Sequence, residues 1–152
     1  MVKTNKRMTD EEMRIQEEHD YQIVKQEIEG RNNNYTVTRT DDYTIYDAVI
    51  DKDVDNTYLE IKERWETTSE DYPYYLINKV KVDNLRRKCK EDFSDGYIAY
   101  LFKDCFYLFD INNGYTTEEK EVNNPIKGRR TEVSYRLFPA TGKRMSYLYS
   151  QK

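Results

Sequence analysis

Residues 98–102, IAYLF, are apolar at consecutive positions, so a strand formed by them has apolar side chains on both faces. Such a strand belongs in the interior of a sheet that is covered on both sides. Residues 73–93 precede it with apolar residues at helical spacing, and residues 56–65 form an earlier strand candidate. A strand, a helix and a strand in this order predict a right-handed crossover that leaves the two strands parallel.

The first helix is predicted from its N-terminal signals. Thr9 or Asp10 can cap it, and two glutamates in its first turn favour the positive helix end. The helical pattern continues to about residue 29, where Gly30 is expected to end it. The apolar stripe that we expect to meet the core consists of Met13, Tyr21, Val24 and Ile28. Glu17 lies within this stripe, where a carboxylate needs a partner or access to solvent.

Further strands are predicted on both sides of the crossover helix. Residues 35–40, 43–51 and 56–65 precede it, and the Asp and Asn residues between the last two predict an antiparallel hairpin. Residues 97–111 are predicted to form two strands around a tight connection. The tail, residues 130–152, predicts a terminal hairpin around PATG. The least regular part is the segment 112–130, for which we expect a short helix among loops.

The resulting fold class is α/β, with a mixed β-sheet flanked by an N-terminal helix and a crossover helix, and a C-terminal β-hairpin. Residues 1–152 have room for one core, so a single domain is expected, with residues 1–8 as a disordered lead. The 15 tyrosines compensate for the low aliphatic content. No run is long and apolar enough for a membrane span or a secretion signal, so we expect a cytoplasmic protein, or one of the host cytoplasm if a phage encodes it.

Charged residues alternate along the predicted strand 56–65. Glu60, Lys62 and Arg64 are two residues apart and therefore project from one face, with aliphatic residues on the other. The preceding strand contains Asp47. If the hairpin places Asp47 opposite Glu60, two carboxylates and the Lys62 amine meet in one small volume.

Two adjacent carboxylates repel each other and retain a proton unless a cation lies between them. Mg²⁺ accepts one or two protein carboxylates, keeps several waters and takes phosphate oxygens as further ligands. Lys62 beside such a cation can orient a water molecule and assist its deprotonation. The alternative is that Glu60, Lys62 and Arg64 form a solvated strand face whose ion pairs add little stability.

These residues resemble the motif of the PD-(D/E)XK nucleases, which have the restriction-endonuclease-like fold. The match consists of Asp47, a gap of twelve residues and Glu60-Ile61-Lys62, placed between the N-terminal helix and the crossover helix. It spans roughly residues 9–111. Tyr46 stands where many members have proline. The chain also looks like small nucleases of phages and mobile elements.

The resemblance implies metal-dependent hydrolysis of phosphodiester bonds in DNA. Asp47 and Glu60 would be ligands of Mg²⁺, with Mn²⁺ as an alternative ion, and Lys62 would position the attacking water. Many members bring an acidic residue from the first helix towards the metal, and Glu17 is the candidate for this role. Two-fold homodimers are common on this fold, although the sequence contains no interface signature.

A basic ridge is predicted on the crossover helix. Lys79, Arg86 and Lys90 lie on one flank of its apolar stripe at 100° per residue. Such a ridge can neutralise DNA phosphates locally although the net charge of the chain is -4. We expect Lys79, near the helix start, to reach the scissile phosphate, and Arg64 a neighbouring one. The alternative for the ridge, above all for Lys90, is a solvated lysine-rich flank of the helix. Arg129 and Arg130 are further candidates for contact with the DNA backbone.

The function that follows is a small Mg²⁺-dependent nuclease acting on DNA, with RNA as a less favoured partner and no membrane partner. The alternative is a catalytically silent nuclease-like fold that serves as a nucleic-acid-binding or phage assembly module. An incomplete motif would favour that alternative, and the motif is complete. Nucleophilic catalysis has little basis, because the single histidine, His19, has no identifiable partner in the sequence.

Overall fold

The structure, a computed structural model, describes residues 8–41, 45–126 and 128–150. The predicted lead up to residue 7 and the first two residues of the predicted strand 43–51 lie outside the described residues. In chain order the elements are α1 (Asp10–Arg31), β1 (Thr36–Arg39), β2 (Ala48–Asp51), β3 (Asn56–Arg64), β4 (Tyr75–Asn78), α2 (Lys79–Asp92), β5 (Asp95–Phe102), β6 (Phe106–Asp110), β7 (Thr116–Asn124), β8 (Gly128–Leu137) and β9 (Lys143–Met145). No helix in these described ranges is long and apolar enough to cross a membrane.

Helix α1 begins with a capping box. The Thr9 hydroxyl accepts a hydrogen bond from the Glu12 amide at 3.1 Å, and the Glu12 carboxylate accepts one from the Thr9 amide at 3.2 Å. Gly30 was predicted to end this helix, but the helix includes Gly30 and ends at Arg31. A Cβ atom at Gly30 would lie 2.4 Å from the ring of Tyr149, so a larger residue at this position would displace that ring.

The two halves of α1 differ in burial. Tyr21, Val24 and Ile28 are buried against the sheet, as the apolar stripe predicted. Met13 is 45% exposed, and every residue from 8 to 19 is exposed except the half-buried Gln16. The predicted stripe is therefore wrong at Met13, because the sheet covers only the second half of the helix.

The central sheet has six strands in the order β1-β2-β3-β5-β6-β9. The predicted antiparallel hairpin forms between β2 and β3, and the predicted crossover through α2 leaves β3 and β5 parallel. Strand β5 is interior: Ile98 and Tyr100 face the side where α2 packs, and Ala99 and Leu101 face the side where α1 packs. These elements confirm the predicted α/β class with a mixed sheet, an N-terminal helix and a crossover helix.

A second sheet, with the order β4-β8-β7, was not predicted. The sequence assigned residues 75–78 to the crossover helix, but they form β4, because Tyr75 and Ile77 alternate into the core and the strand pairs with β8. Helix α2 starts only after Asn78, whose side-chain oxygen accepts a hydrogen bond from the Val80 amide at 2.9 Å.

The C-terminal third also differs from the prediction. Strand β7 lies within residues 112–130, where a short helix among loops was expected, and pairs with β8 over its whole length. The predicted terminal hairpin around PATG does not form, because β8 belongs to the second sheet whereas β9 pairs with β6. A 3₁₀ turn at Pro139–Thr141 carries the chain from one sheet to the other. Strand β9 therefore pairs with β6 and not with β8, its partner in the predicted hairpin.

Tyrosine and phenylalanine fill the core between the two sheets. The Tyr75 ring contacts the rings of Tyr100, Phe102, Tyr107 and Phe109 with centroid separations of 4.4 to 6.2 Å. Such aromatic contacts stabilise a core beyond the area that they bury. They explain how a chain with few aliphatic residues forms a closed interior.

The C-terminal segment is held by Glu27 of α1. The buried Glu27 carboxylate accepts hydrogen bonds from the backbone amides of Leu148, Tyr149 and Ser150 at 2.7 to 2.9 Å, and from the Ser150 hydroxyl at 2.5 Å. Arg31 donates to the same carboxylate at 2.7 Å. Burial alone would raise the pKa of Glu27, but these donors outweigh burial and lower the pKa to about 2.

Glu27→Gln is expected to lower the free energy of unfolding at neutral pH by about 3 kcal/mol, because lowering the pKa of Glu27 from 4.5 to about 2 stabilises the folded state. The folded-state pKa lies below the unfolded value, so this contribution is complete above pH 4.5 and is lost as the pH falls from 4.5 towards 2. Urea denaturation of both proteins at neutral pH and near pH 3 measures it.

The exposed Glu91 of α2 provides a matched control, since Glu91→Gln should change the free energy of unfolding by less than about 0.5 kcal/mol. A difference between wild type and Glu27→Gln that stays constant over this pH range would contradict the assignment to an ionised Glu27.

Candidate active site

Asp47 and Glu60 lie side by side at the start of β2. The register of the hairpin pairs Ala48 with Leu59, and the Asp47 amide donates to the Leu59 carbonyl at 2.8 Å. One carboxylate oxygen of Asp47 also accepts a hydrogen bond from the Ile61 amide at 2.7 Å. The structure thus brings together the carboxylates of Asp47 and Glu60, which the predicted hairpin was expected to place opposite each other.

Both carboxyl groups have raised pKa values. Desolvation of its carboxyl group raises the pKa of Asp47, although the residue as a whole is exposed, and the Ile61 amide and the charge of Lys81 offset this only in part. Burial and then the charge of Asp47 raise the pKa of Glu60, which is only 5% exposed, well above its usual range. Hydrogen bonding between the two carboxyl groups lowers the pKa of Asp47 and raises that of Glu60. Without a cation, the pair therefore retains a proton.

Two lysines approach this pair from different elements. Lys62 follows Glu60 on the same face of β3 and is half-buried, and its pKa is lowered by burial and by the charges of Arg64 and Lys81. Lys81, in the first turn of α2, places its amine 3.7 Å from the Glu60 carboxylate and has a 65% exposed side chain. Sequence reasoning missed Lys81. The Asn78 cap is a local signal that puts Lys81 in the first turn of α2, but the approach of Lys81 to Glu60 depends on how that helix packs.

The carboxylate pair opens into a cavity of about 380 Å³ bounded by α1, the end of β1 and the start of β2. Glu17, the predicted acid of the first helix, lines this cavity. Its side chain is 58% exposed and lies 3.5 Å from Arg39.

Asp20 also lines the cavity, is buried and was not predicted. One Asp20 oxygen accepts hydrogen bonds from the Trp65 indole at 2.6 Å and from the Gln16 amide at 2.8 Å. Burial raises the pKa of Asp20.

The residues of the predicted basic ridge lie outside the cavity lining. Lys79 and Arg86 both pair with Asp83 on α2. Arg86 also donates two hydrogen bonds to the Ile111 carbonyl, at 2.6 and 3.0 Å, and so holds α2 against the end of β6. The ridge is therefore largely neutralised within its own helix, and its contact with DNA stays a prediction.

The remaining predicted DNA-contacting arginines are exposed. Arg129 and Arg130 lie on β8 near the β7–β8 turn and pair with Glu121 and Glu132, in solvent-exposed pairs of the kind that contribute little stability. Arg64, at the end of β3, donates to a neighbouring carbonyl and forms no ion pair with a carboxylate in the described part of the chain. Its charge is thus available to an anionic ligand.

The donor set fits a hard divalent cation. Asp47 and Glu60 offer the carboxylate oxygens that Mg²⁺ prefers, and a cation between them would remove the repulsion that raises their pKa values. Among the described residues, no cluster of three or more His, Cys, Asp or Glu side chains is arranged to hold a metal ion. Two protein carboxylates are enough to bind Mg²⁺, because this ion keeps several waters and accepts phosphate oxygens as its remaining ligands.

Comparison with known proteins gives one informative result. Neither a protein family nor a curated protein matches the chain. Among solved structures the chain is similar to Hjc, a Holliday junction resolvase from the archaeal hyperthermophile Archaeoglobus fulgidus, with a TM-score of 0.51 and 15% identity over 77% of this chain and 83% of that chain. At this identity the similarity supports the fold, and it agrees with the restriction-endonuclease-like architecture that the motif predicted.

Glu60→Gln is expected to raise the free energy of unfolding by about 2 kcal/mol near pH 8 without divalent ions, and to change it little near pH 4. The raised pKa of Glu60 means that the folded protein holds a proton more tightly than the unfolded chain, so wild type loses stability as the pH rises above 4.5. Glutamine cannot ionise and avoids this loss. Urea denaturation at both pH values measures the difference.

Glu119→Gln on the exposed strand β7 serves as the control and should show no such pH-dependent gain. Mg²⁺ should raise the melting temperature of wild type more than that of Glu60→Gln, because only wild type offers both carboxylates. A Glu60→Gln protein that is less stable than wild type at both pH values would contradict the electrostatic account.

Proposed function

We propose that this chain is a divalent-metal-dependent nuclease that hydrolyses phosphodiester bonds in DNA, with Mg²⁺ as its cofactor and Mn²⁺ as an alternative. The observation that carries the proposal is the meeting of the Asp47 and Glu60 carboxylates with the Lys81 amine beside an open cavity. Lys62 is not part of the cavity lining, but it is the next residue after Glu60 on the same face of β3. The fold supports it, because Hjc, which is similar in structure, is a Holliday junction resolvase.

In this proposal Asp47 and Glu60 hold the metal ion, and the Ile61 amide fixes the orientation of Asp47. The ion supplies charge neutralisation at the phosphate and lowers the pKa of a water. Lys62 orients the attacking water and accepts its proton, because a lowered pKa increases the fraction of neutral amine near neutral pH. The water attacks phosphorus in line with the leaving oxygen.

The start of α2 is suited to binding the phosphate. The first turn of α1 contains three carboxylates, whereas the first turn of α2 contains none and includes Lys79 and Lys81. These lysines add to the positive charge of the helix N-terminus instead of offsetting it. Because Lys81 is the one beside Glu60, we assign to it the contact with the scissile phosphate that the sequence analysis gave to Lys79, and to Arg64 a neighbouring phosphate.

Other parts of the proposal rest on the sequence pattern and the resemblance. Glu17 remains the candidate for an additional acid near the metal, and it lines the cavity. The predicted contacts to the DNA backbone from outside the cavity are those of Lys79, Arg86, Arg129 and Arg130. A two-fold homodimer, a cytoplasmic location and a phage origin belong to the same set of expectations.

Purified protein is expected to cut DNA in the presence of Mg²⁺ or Mn²⁺ and to lose this activity in EDTA. A gel assay with linear, nicked, single-stranded and four-way-junction DNA measures it. Lys62→Ala should lower the cleavage rate by about 100-fold or more, because it removes the proposed proton acceptor. Circular dichroism should show that the Lys62→Ala protein is folded.

Lys79 provides a matched control for Lys81, since both are lysines of the same helical turn. Lys81→Ala should lower the rate or the DNA affinity about tenfold, and Lys79→Ala by no more than about threefold. Protein that binds DNA but cuts none of these substrates with either metal would instead support the non-enzymatic binding or assembly module.

A further inference from the structure

Lys81 is the cation that the structure places at the carboxylate pair. Its amine lies 3.7 Å from the Glu60 carboxylate. Burial raises the pKa of Asp47 and of Glu60, and the charge of Lys81 opposes this rise in both. The cavity lining also contains Arg14 and Arg39, but neither forms an ion pair with the two carboxylates in the described part of the chain. Among the cations of the lining, Lys81 is therefore the one that balances the charge of the pair.

Few contacts hold the Lys81 side chain in place. It is 65% exposed, and Glu60 is the one carboxylate with which it forms an ion pair in the described ranges. Lys79, in the same helical turn, differs, because it pairs with Asp83 at 2.5 Å and its amine lies 5.5 Å from the centre of the Tyr135 ring. The four-carbon stem of a lysine is flexible. The Lys81 amine can therefore leave Glu60 without any movement of helix α2.

A divalent ion at the carboxylate pair and the Lys81 amine disfavour each other. Mg²⁺ binds carboxylate oxygens at about 2 Å, so an ion on the Glu60 oxygen that faces Lys81 would lie no more than about 6 Å from the ammonium group. Like charges at this separation repel each other in a partly desolvated site. The ion carries two charges, so the amine opposes it more than the single proton that the pair otherwise retains.

We infer that Lys81 couples metal binding to DNA binding, because its amine is the counter-ion of the carboxylate pair until a divalent ion binds and then transfers to a DNA phosphate. The inference rests on the proposed function. Without DNA, metal binding drives the amine into water, which lowers the affinity for the ion. With DNA, the phosphate holds the amine away from Glu60, and the affinity for the ion rises. By linkage, the ion raises the affinity for DNA by the same factor.

The first test measures Mn²⁺ binding without DNA, by counting the free ion with electron paramagnetic resonance. Lys81→Met is expected to bind Mn²⁺ about tenfold more tightly than wild type, because the competing counter-ion is gone. Lys81→Arg keeps the charge and should keep an affinity close to that of wild type. Structural damage to the site would weaken metal binding, so a gain in affinity distinguishes the counter-ion from a merely structural role.

The second test adds a short DNA duplex and uses Lys62→Ala as the background, so that the proposed reaction does not consume the DNA. A titration of the DNA alone gives the Mn²⁺ that the duplex itself holds. Without DNA, Lys62→Ala/Lys81→Met should bind Mn²⁺ about tenfold more tightly than Lys62→Ala. With DNA, this difference should fall below about threefold, because the phosphate then holds the Lys81 amine away from the pair.

The matched control is Lys79→Met. It removes one positive charge from the same turn of α2, so the net charge of the protein changes equally. The ion pair of Lys79 is with Asp83 and not with the carboxylate pair. The control should therefore change the Mn²⁺ affinity by less than about twofold, with or without DNA.

The outcomes separate the two proposals. Mn²⁺ binding by Lys81→Met that is no tighter than that of wild type, an equal gain in Lys79→Met or Lys81→Arg, or a gain that DNA does not reduce would overturn the coupling by Lys81. The nuclease function stands in each of these cases if wild type cuts DNA with Mg²⁺. Wild type that neither binds Mn²⁺ nor cuts DNA would overturn both proposals.

Discussion

The antiparallel register between β2 and β3 is the constraint on which the site depends. Ala48 and Leu59, which this register pairs, are both fully buried in the core beneath α1, so a slip by one residue would move Leu59 to the other face of the sheet and place Glu60 in that apolar core. The packing of these aliphatic neighbours therefore fixes Asp47 beside Glu60. Two carboxylates that repel each other are kept together by apolar contacts on the opposite face of the strand, and their raised pKa values are the result.

Helix α2 is positioned by contacts that have little to do with the site itself. Val82, Leu85 and Cys89 are buried between the two sheets, and Arg86 is fixed by the Ile111 carbonyl. These contacts fix the rotation of α2 about its axis and its position along that axis. Lys81 reaches the carboxylate pair as a consequence. The unpredicted second sheet thus contributes to the site indirectly, because it forms the far wall against which α2 packs.

Local patterns predicted the parts of the fold and site that depend on alternation, capping and chain order. The hairpin, the crossover and the Asp47–Glu60 pair follow from period-two patterns, which are fixed within a strand. Strand β7 could not be predicted in this way, because polar and charged residues occupy both of its faces and only pairing with β8 makes it a strand. Lys81 was missed because its approach to Glu60 depends on where β4 ends and α2 begins, which tertiary pairing decides.

The anchorage of the last residues to Glu27 has a consequence for biosynthesis. The bonded partners are separated by 121 to 123 residues, among the longest sequence separations in the protein. Until residues 148–150 have been synthesised and can fold back, α1 can form and even meet β1, but the Glu27 carboxylate lacks the three backbone amides that bind it. A partly synthesised chain that has reached β6 but not these residues would therefore carry a desolvated charge in its first helix.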